Sequence, residues 1–334
     1  MAGERTVLVL GATGGFGGET ARQLLAAGWR VRAMSRSAHG FASETGAGES
    51  SADVAGIEWV RGDAMNRDDV LSAAAGCAVV VHAVNPPGYR RWHELVLPML
   101  DNTIAAAKAE GATVVLPGNV YVFGPDAFPL ASESSPQNPR TRKGAIRVEM
   151  ERRLHEATRD GLRVLIVRAG DFFGPHATNN WFAQVMVKPG KTPRSIVDPG
   201  THGTGHQWAY LPDAARVVVE LLERRDRLDP FASFHLGGHW DADGSAMVEA
   251  IRRVVARRTG TEPRVRRFPW RLLALASPFV AFCAELNEMR YLWRDELRLD
   301  NSRLLATLGR EPHTPLDEAV ESTLEALGCF AGRP

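Results

Sequence analysis

The sequence predicts an α/β fold with a doubly wound parallel sheet, followed by a smaller, mostly helical C-terminal substrate lobe. Short runs of β-forming residues recur along the first half of the chain, beginning at residues 6–10. Each run is followed by a helical or crossover segment, and this alternation builds a parallel sheet. A glycine-rich turn joins the first strand to the first helix, where such sheets bind ligands.

The glycine-rich turn predicts a dinucleotide site. Glycines stand at positions 11, 14 and 17, and without a Cβ the backbone can turn tightly and approach a diphosphate. The N-terminus of the following helix presents N–H groups that bind phosphate. The predicted contacts in this segment are Gly11, Thr13, Gly14, Gly15, Phe16 and Gly17.

The end of the second strand indicates which dinucleotide binds. The strand at 29–35 ends in Ser35-Arg36-Ser37, without the acidic residue that would bond the ribose 2′-hydroxyl of NAD. A guanidinium and two hydroxyls suit a 2′-phosphate. We therefore expect NADP(H), with NAD(H) second; the alternative is that Arg36 is an ordinary solvated loop residue.

Two further segments are expected to complete the cofactor site. Asp63 follows the third strand, at 57–60, where a carboxylate either accepts from the adenine amino group or holds a turn. Ala83, Val84 and Asn85 leave the fourth strand at the carboxyl edge of the sheet, the edge at which ligands bind.

Composition and charge limit the classes of partner and the cellular compartment that the sequence predicts. The net charge of the 334-residue chain is +1, so no overall field favours nucleic acid. The three cysteines lack metal or disulfide spacing, residues 1–5 leave no room for a signal peptide, and no uncharged stretch is long enough to span a bilayer. These features predict a cytoplasmic protein with a small-molecule substrate, no nucleic-acid partner and no integral membrane segment, and they leave a homodimer open.

Several motifs resemble the extended and atypical short-chain dehydrogenase/reductases, a family that includes NAD-dependent epimerases and dehydratases. They are the three glycines, Gly62-Asp63 and residues 120–124, 165–175, 208–213 and 308–312. The resemblance implies a Rossmann domain over 1–170, to which 206–238 returns, with Ala169 beside the cofactor. It implies a substrate lobe over 171–205 and 239–334. None of these motifs identifies a substrate.

The chain departs from this family where the family's proton relay stands. The family has a Ser or Thr where this chain has Asn119, and a Tyr-x-x-x-Lys pair on the next helix. Counting back from Glu151 puts Lys143 at the Tyr position and Arg147 at the Lys position. Arginine cannot relay a proton, so Arg147 either holds ribose hydroxyls or joins Lys143 and Glu151 in a solvated stripe.

A reductase still needs a proton donor, and Tyr121 and Lys143 are the candidates. In sugar dehydratases of the family, the position matching Tyr121 carries a catalytic carboxylate. We expect Tyr121 and the hydrogen-bond donor Asn119 to point to the same side of an extended segment. The alternative is a packed Tyr121 whose hydroxyl meets backbone.

The later part of the chain offers features with more than one interpretation. Residues 181, 182 and 186 are either pocket walls or core, and His202 and His206 lack acidic or cysteine partners, so no metal site is predicted. Seven arginines between 252 and 267 form either a solvated helix face or a clamp for a diphosphate, an acyl-CoA or anionic lipid. Residues 270–286 are interpreted as lobe core, with membrane-surface or dimer contact as the alternative.

Three functions remain open from the sequence. The first is an NADP-dependent atypical short-chain reductase, an oxidoreductase acting on a small organic carbonyl or enol-type substrate. The second is a nucleotide-sugar epimerase or dehydratase, against which the missing Tyr-x-x-x-Lys counts. The third is a non-catalytic protein that senses NADP(H) or supports assembly.

Overall fold

The computed structural model describes residues 5–37, 56–86, 91–177 and 179–330. The strands are, in chain order, β1 Thr6–Leu10, β2 Arg30–Ser35, β3 Ile57–Arg61, β4 Val79–His82, β5 Thr113–Asn119, β6 Leu130–Ala131, β7 Arg163–Ala169, β8 Asp171–Phe173, β9 Ser195–Asp198, β10 His206–Tyr210, β11 Phe231–His235, β12 His239–Asp241, β13 Arg264–Arg267 and β14 Arg298–Leu299. The α-helices are α1 Gly15–Ala26, α2 Arg67–Ala74, α3 Trp92–Glu110, α4 Arg142–Ala157, α5 Leu211–Leu222, α6 Ala246–Thr259, α7 Trp270–Ala276, α8 Ala281–Glu288, α9 Ser302–Leu308 and α10 Leu316–Ala326.

The chain divides into two compact units. The first comprises Met1–Gly118, Arg142–Arg168 and Ala215–Phe234, and the second comprises Asn119–Thr141, Ala169–Ala214 and His235–Pro334. These bounds differ from the predicted ones: residues 119–141, 169–170, 206–214 and 235–238 fall in the second unit. For 206–210 the reason is strand pairing, because β10 bonds to β8 and β12 rather than to the large sheet.

The first unit is built on a seven-stranded sheet of order β11-β7-β5-β4-β1-β2-β3. The pairs β1–β2, β1–β4, β2–β3 and β4–β5 are parallel. Every residue of β1 and β4 is buried, as expected for central strands covered on both faces. The predicted doubly wound α/β fold is confirmed, and the carboxyl ends of β1, β4 and β5 meet at one edge.

The helices of the first unit begin and end where local chemistry allows. An asparagine directly before the helical segment 67–74 predicts an N-cap, and the Asn66 side chain does accept from the Asp68 amide at 3.0 Å. The helix α3 ends at Gly111, whose φ of 63° is the left-handed conformation that glycine adopts freely. Asn66 thus caps the helix that follows β3, and Gly111 ends the helix that leads into β5.

The second unit contains three small sheets besides its helices. In the first of them, β10 pairs antiparallel with β12 and parallel with β8. The other two are parallel pairs, β9 with β13 and β6 with β14. The helices α6 and α10 pack against each other in this unit. Within the described residues, no helix combines the length and the apolarity needed to cross a bilayer.

The interpretation of residues 270–286 as lobe core is wrong for much of that segment. Leu273 is buried, but Leu272, Leu275 and Phe279 expose 67%, 73% and 88% of their surface. The inner side of α7 is occupied by Leu273 and by Trp270, whose indole donates to the Pro199 carbonyl. Apolar composition predicted burial, but the helix is short and only one of its faces meets the rest of the unit.

Candidate functional site

The three glycines of the turn between β1 and α1 differ in what an added side chain would meet. Gly11 has a φ of +87°, and a Cβ there would lie 2.5 Å from the Ala83 carbonyl oxygen. A Cβ on Gly17 would lie 2.3 Å from the Gly11 oxygen. A Cβ on Gly14 would meet nothing closer than 3.4 Å. Gly11 and Gly17 therefore close the turn upon the chain itself, whereas Gly14 is exposed and faces outward.

The helix α1 has no side-chain cap at its N-terminus. Gly14 is the N-cap residue, and it has no side chain to accept a hydrogen bond from the first turn. The first-turn N–H groups of an α-helix lack partners within the helix and carry the positive end of its dipole. Glu19 does not neutralise them from the helix surface, since it is buried and accepts from Arg22 and Gln23. Thr13, Gly15 and Phe16, on either side of Gly14, are half-buried.

The loops after β2 and β3 adjoin each other at the predicted adenosine end. The Gly62 amide donates to the Ser35 carbonyl at 3.0 Å. The hydroxyls of Ser35 and Ser37 lie 3.3 Å apart, and Arg36 between them is exposed. Asp63 accepts from the Met65 amide at 3.0 Å, so its carboxylate holds a turn, which was one of its two predicted roles.

The loops at the ends of β4 and β5 are linked by a contact chain that the sequence did not reveal. The Trp92 indole donates to Asn85 Oδ1 at 2.5 Å. The Arg147 guanidinium carbon lies 5.2 Å from the Trp92 ring centroid, and Arg147 also reaches the Pro117 carbonyl at 3.5 Å. Arg147 is thus held by a cation–π contact at the sheet edge. Ala83 and Val84 precede Asn85 in the same loop, with the Ala83 amide bonded to the Leu10 carbonyl.

Beneath this contact chain lies a buried histidine that the sequence reasoning also missed. His82 Nδ1 is 2.7 Å from Thr103 Oγ1. Burial, followed by the positive charge of Arg147, lowers the pKa of His82 from 6.5 to about 3. The imidazole is therefore neutral at physiological pH. A histidine at the end of an apolar strand was a visible signal, but its partner is twenty-one residues away on α3.

The proposed solvated stripe on α4 does not exist. Lys143 and Glu151 are both buried, and Arg147 is half-buried. Glu151 accepts from Arg168 on β7 at 2.7 Å, with side-chain exposures of 6% and 2%. An arginine within the apolar strand 163–169 was the signal for a buried partner, because isolated buried charges are costly. The i, i+4 spacing kept the three α4 residues on one face, as predicted, but that face is inward.

The segment after β5 differs from the expected extended chain. Val120–Val122 is a 3₁₀ helix, and Asn119 caps it by accepting from the Tyr121 amide at 3.1 Å. At three residues per turn, side chains two positions apart point in different directions. The expectation that Asn119 and Tyr121 share one side is therefore wrong, because the cap bond bends the chain immediately after the strand.

The predicted site residues fall into two groups. The cofactor residues from Gly11 to Asn85, together with Lys143 and Arg147, belong to the first unit, where the carboxyl edge of the sheet gathers the turn, the β4 loop and Arg147. Asn119, Tyr121 and Ala169 belong to the second unit. Ala169 is fully buried at the end of β7.

The second unit carries a buried histidine–aspartate pair. His206 Nε2 lies 2.9 Å from Asp171 Oδ2 and its Nδ1 lies 3.2 Å from the Leu292 carbonyl oxygen. The statement that His206 lacks an acidic partner is wrong, since β8 and β10 bring Asp171 beside it. Trp293 stacks on the ring at 3.9 Å between centroids. Trp181, Phe182 and Met186 are buried nearby in this unit, and Met186 also lines a small cavity with Trp293.

A second histidine group also escaped the sequence reasoning. Ligand atoms of Asp213, His239 and His313 lie within 4.8 Å of one another. Asp213 already accepts from the amide and hydroxyl of Thr314, at 2.7 and 2.8 Å. Burial, followed by His313, lowers the pKa of His239 to about 4. The Asp213 carboxylate thus ties the start of α5 to the segment before α10.

The basic group of the C-terminal half separates into two parts. The four arginines of α6 form ion pairs: Arg252 with Glu249 and Glu262, Arg253 with Asp317, Arg257 with Glu321, and Arg258 with Glu321 and Glu325. Three of these acids are on α10, so most of the pairs join two packed helices. The α6 arginines therefore form a partly exposed, ion-paired face against α10 rather than a simply solvated one, and the arginines of β13 stand apart from it.

Comparison with known proteins identifies relatives of the whole fold. A model of the NAD dependent epimerase/dehydratase family matches residues 7–237. The uncharacterized protein y4nG of Sinorhizobium fredii (strain NBRC 101917 / NGR234) is 25% identical over 280 residues, which span 82% of this chain and 65% of that protein.

Three solved structures illustrate the likeness of the fold. A putative epimerase from Burkholderia cenocepacia J2315 has a TM-score of 0.72 at 18% identity, covering 97% of this chain and 98% of that one. MoeE5 in complex with UDP-glucose and NAD has a TM-score of 0.69 at 19% identity, covering 96% and 98%. The UDP-glucuronic acid 4-epimerase from Bacillus cereus, in complex with UDP-glucuronic acid and NAD, gives 0.69 at 15% identity, covering 96% and 98%.

Proposed function

The chain belongs to the NAD dependent epimerase/dehydratase family, and from that premise we propose that its first unit binds a nicotinamide dinucleotide, NADP(H) in preference to NAD(H). The observation that carries this proposal is the open face at Gly14. A Cβ on Gly11 or Gly17 would strike the protein's own backbone, but at Gly14 the space in front of the chain is clear. That space lies at the start of α1, where helix N–H groups attract phosphate.

The preference for NADP(H) is supported by the end of β2. The Ser35 and Ser37 hydroxyls are 3.3 Å apart and flank the exposed Arg36. Together they offer the guanidinium and hydroxyl donors that suit a phosphate monoester. Asp63 is engaged in its own turn and does not replace the ribose-binding acid that the chain lacks at the end of β2.

We further propose that the protein is an oxidoreductase that reduces a small organic carbonyl or enol-type substrate. Hydride addition to a carbonyl carbon leaves charge on the oxygen, which must receive a proton. Arg147 cannot supply it, because arginine stays protonated in proteins. The remaining candidates for the proton donor are Lys143 and Tyr121.

Nucleotide-sugar epimerisation is the second candidate, and the solved relatives that bind UDP-sugars favour it. An epimerase must first accept a proton from a sugar hydroxyl. The family's tyrosine position, which would do so, holds Lys143 here. The missing Tyr-x-x-x-Lys therefore counts against epimerisation, and a cofactor-binding protein without catalysis is the third candidate.

Cofactor titration followed by a substrate screen tests these proposals in order. Quenching of intrinsic fluorescence should report NADPH binding about tenfold or more tighter than NADH binding, since a charge-assisted contact contributes roughly 1.5–3 kcal/mol. NADPH oxidation is then followed with a panel of carbonyl compounds and, in parallel, UDP-sugar interconversion. Absence of any dinucleotide binding would overturn the whole proposal, whereas binding without turnover would leave the non-catalytic alternative.

The variant Arg36→Ala should abolish the preference between NADPH and NADH. Loss of the Arg36 guanidinium should weaken NADPH binding about tenfold and leave NADH binding within about twofold, because only NADPH has the 2′-phosphate. Arg67→Ala, which removes an exposed arginine from α2, is the matched control and should change neither constant. An unchanged preference in Arg36→Ala would refute the assignment of the 2′-phosphate site.

A further inference from the structure

The segment from β13 to the start of α8 carries an exposed apolar surface that the proposed function does not use. Leu272, Leu275, Phe279 and Val280 expose 67%, 73%, 88% and 46% of their surface. The spacing of Leu272, Leu275 and Phe279, at three and then four residues, aligns them along one side of α7 and the turn after it. We call these four residues the apolar ridge. Clustered, highly exposed large apolar side chains of this kind mark interaction sites.

Contacts on the opposite side of α7 hold the apolar ridge in its exposed position. Trp270 donates to the Pro199 carbonyl at 2.8 Å and packs against the Trp181 ring at 5.8 Å. Leu273 is buried. The Ser277 hydroxyl reaches the Leu273 and Cys283 carbonyls at 2.8 and 3.2 Å, which ties α7 to α8. The ridge is therefore a fixed protrusion of the second unit.

The charged residues of the segment that carries the apolar ridge are basic. Between residues 263 and 284 the sequence has four arginines and no acidic residue. Arg267 pairs with Asp198, but no carboxylate of the described chain pairs with Arg264, Arg266 or Arg271, and all three are exposed. Arg271 adjoins Leu272, and Arg264 and Arg266 point to one side of a strand that ends three residues before α7. We call these three residues the basic rim.

This combination selects one kind of occupant. A second copy of the same surface, related by a two-fold axis, would bring one basic rim against another and so be repelled. A short helix with large apolar side chains on one side and arginines beside it is the pattern of an interfacial membrane anchor. We propose that the apolar ridge and the basic rim dock the protein on an anionic lipid surface, with the ridge entering the headgroup region.

Vesicle sedimentation tests this proposal with the full chain. The protein should sediment with vesicles of phosphatidylcholine containing about a third phosphatidylserine. It should bind pure phosphatidylcholine at least tenfold more weakly, and added salt should release it, because each arginine near an anionic surface adds to the attraction. Equal binding to both vesicle types, or no sedimentation with the anionic ones, would overturn the proposal.

Two variants separate the contributions of ridge and rim. Leu275→Glu/Phe279→Glu should weaken binding by more than about a hundredfold, because two exposed side chains can no longer enter the interface. Arg264→Ser/Arg266→Ser/Arg271→Ser should weaken it by roughly a hundredfold. Because these residues are exposed, thermal melts should stay at the wild-type temperature, which excludes unfolding as the cause.

Matched controls use equivalent residues elsewhere in the chain. Met65→Glu/Leu305→Glu changes two exposed apolar side chains distant in sequence from the ridge, and Arg253→Ser/Arg257→Ser removes two charges that α10 already neutralises. Both should bind vesicles within about threefold of wild type. Equal losses in controls and test variants would refute the assignment. Light scattering that shows a dimer which Leu275→Glu/Phe279→Glu dissociates would overturn it in favour of a second copy.

Discussion

The glycine turn before α1 and the inward face of α4 serve the same unit but depend on different properties of the chain. The turn depends on missing atoms: Gly11 and Gly17 allow the backbone to close, and Gly14 leaves open the space where a phosphate would approach. The α4 face depends on which groups are present, and counting back from Glu151 predicts Lys143 and Arg147 at the positions of the family's tyrosine and lysine. A glycine turn of this kind can be retained while the residues beside it differ. Whether those residues can donate a proton depends on their own acidity.

Valine substitutions within the turn give the largest expected effects. Gly17→Val would drive side-chain atoms into a backbone oxygen already 2.3 Å from the ideal Cβ, and we expect a loss of more than about 4 kcal/mol, seen as loss of a cooperative thermal transition. Gly14→Val should melt within a few degrees of wild type yet lose NADPH binding. Wild-type affinity in Gly14→Val would mean that any dinucleotide binds elsewhere.

Removal of the buried acid on the inward face of α4 should lower the stability nearly as much. Glu151→Ala leaves Arg168 buried without its carboxylate and should lower the free energy of unfolding by about 3–5 kcal/mol in urea titrations. Glu149→Ala, which breaks only partly exposed surface ion pairs with Arg152 and Arg153, should cost less than about 1 kcal/mol. The double variant Glu151→Leu/Arg168→Met should recover most of the loss. Equal effects of the two alanine variants would contradict the inward orientation of this face.

Proton donation is tested by two conservative variants once a reductase activity is known. Tyr121→Phe and Lys143→Met should each lower kcat by roughly a hundredfold or more, the usual scale of general acid assistance. Tyr121→Phe should leave NADPH affinity unchanged, and the exposed Lys188→Met should leave both quantities unchanged. Wild-type turnover in both test variants would show that neither residue supplies the proton.

The smallest expected effect at mildly acidic pH concerns His82 beside Arg147. The pKa of His82 is about 3 in the folded chain, below its unfolded value of about 6.5, so between these values only the unfolded state binds the proton. Stability should fall as the pH drops from about 6.5 towards 3, by up to about 1.4 kcal/mol per pH unit from this group. His82→Gln should therefore show a flatter stability curve than wild type below pH 6, measured by urea titration. His93→Gln, an exposed histidine, should keep the wild-type slope.

Local patterns were sufficient to predict much of the first unit. The apolar run 6–10 followed by three spaced glycines predicted β1, its turn and α1, and Asn66 predicted the cap of α2. These features are decided by neighbours within a few residues. Pairings across the chain could not be predicted in this way: Trp92 with Arg147, Glu151 with Arg168 and His206 with Asp171 join residues on separate elements.

The sequence alone determined the alternation of strands and helices and the glycine turn, because each of these is a property of residue types at fixed spacing. Only the tertiary structure decided that the α4 face is buried, that the α6 arginines are neutralised by α10 and that the apolar ridge is exposed. The physical reason is that burial and charge pairing depend on which distant surfaces meet. An apolar or basic run has the same composition whether another element covers it or solvent does.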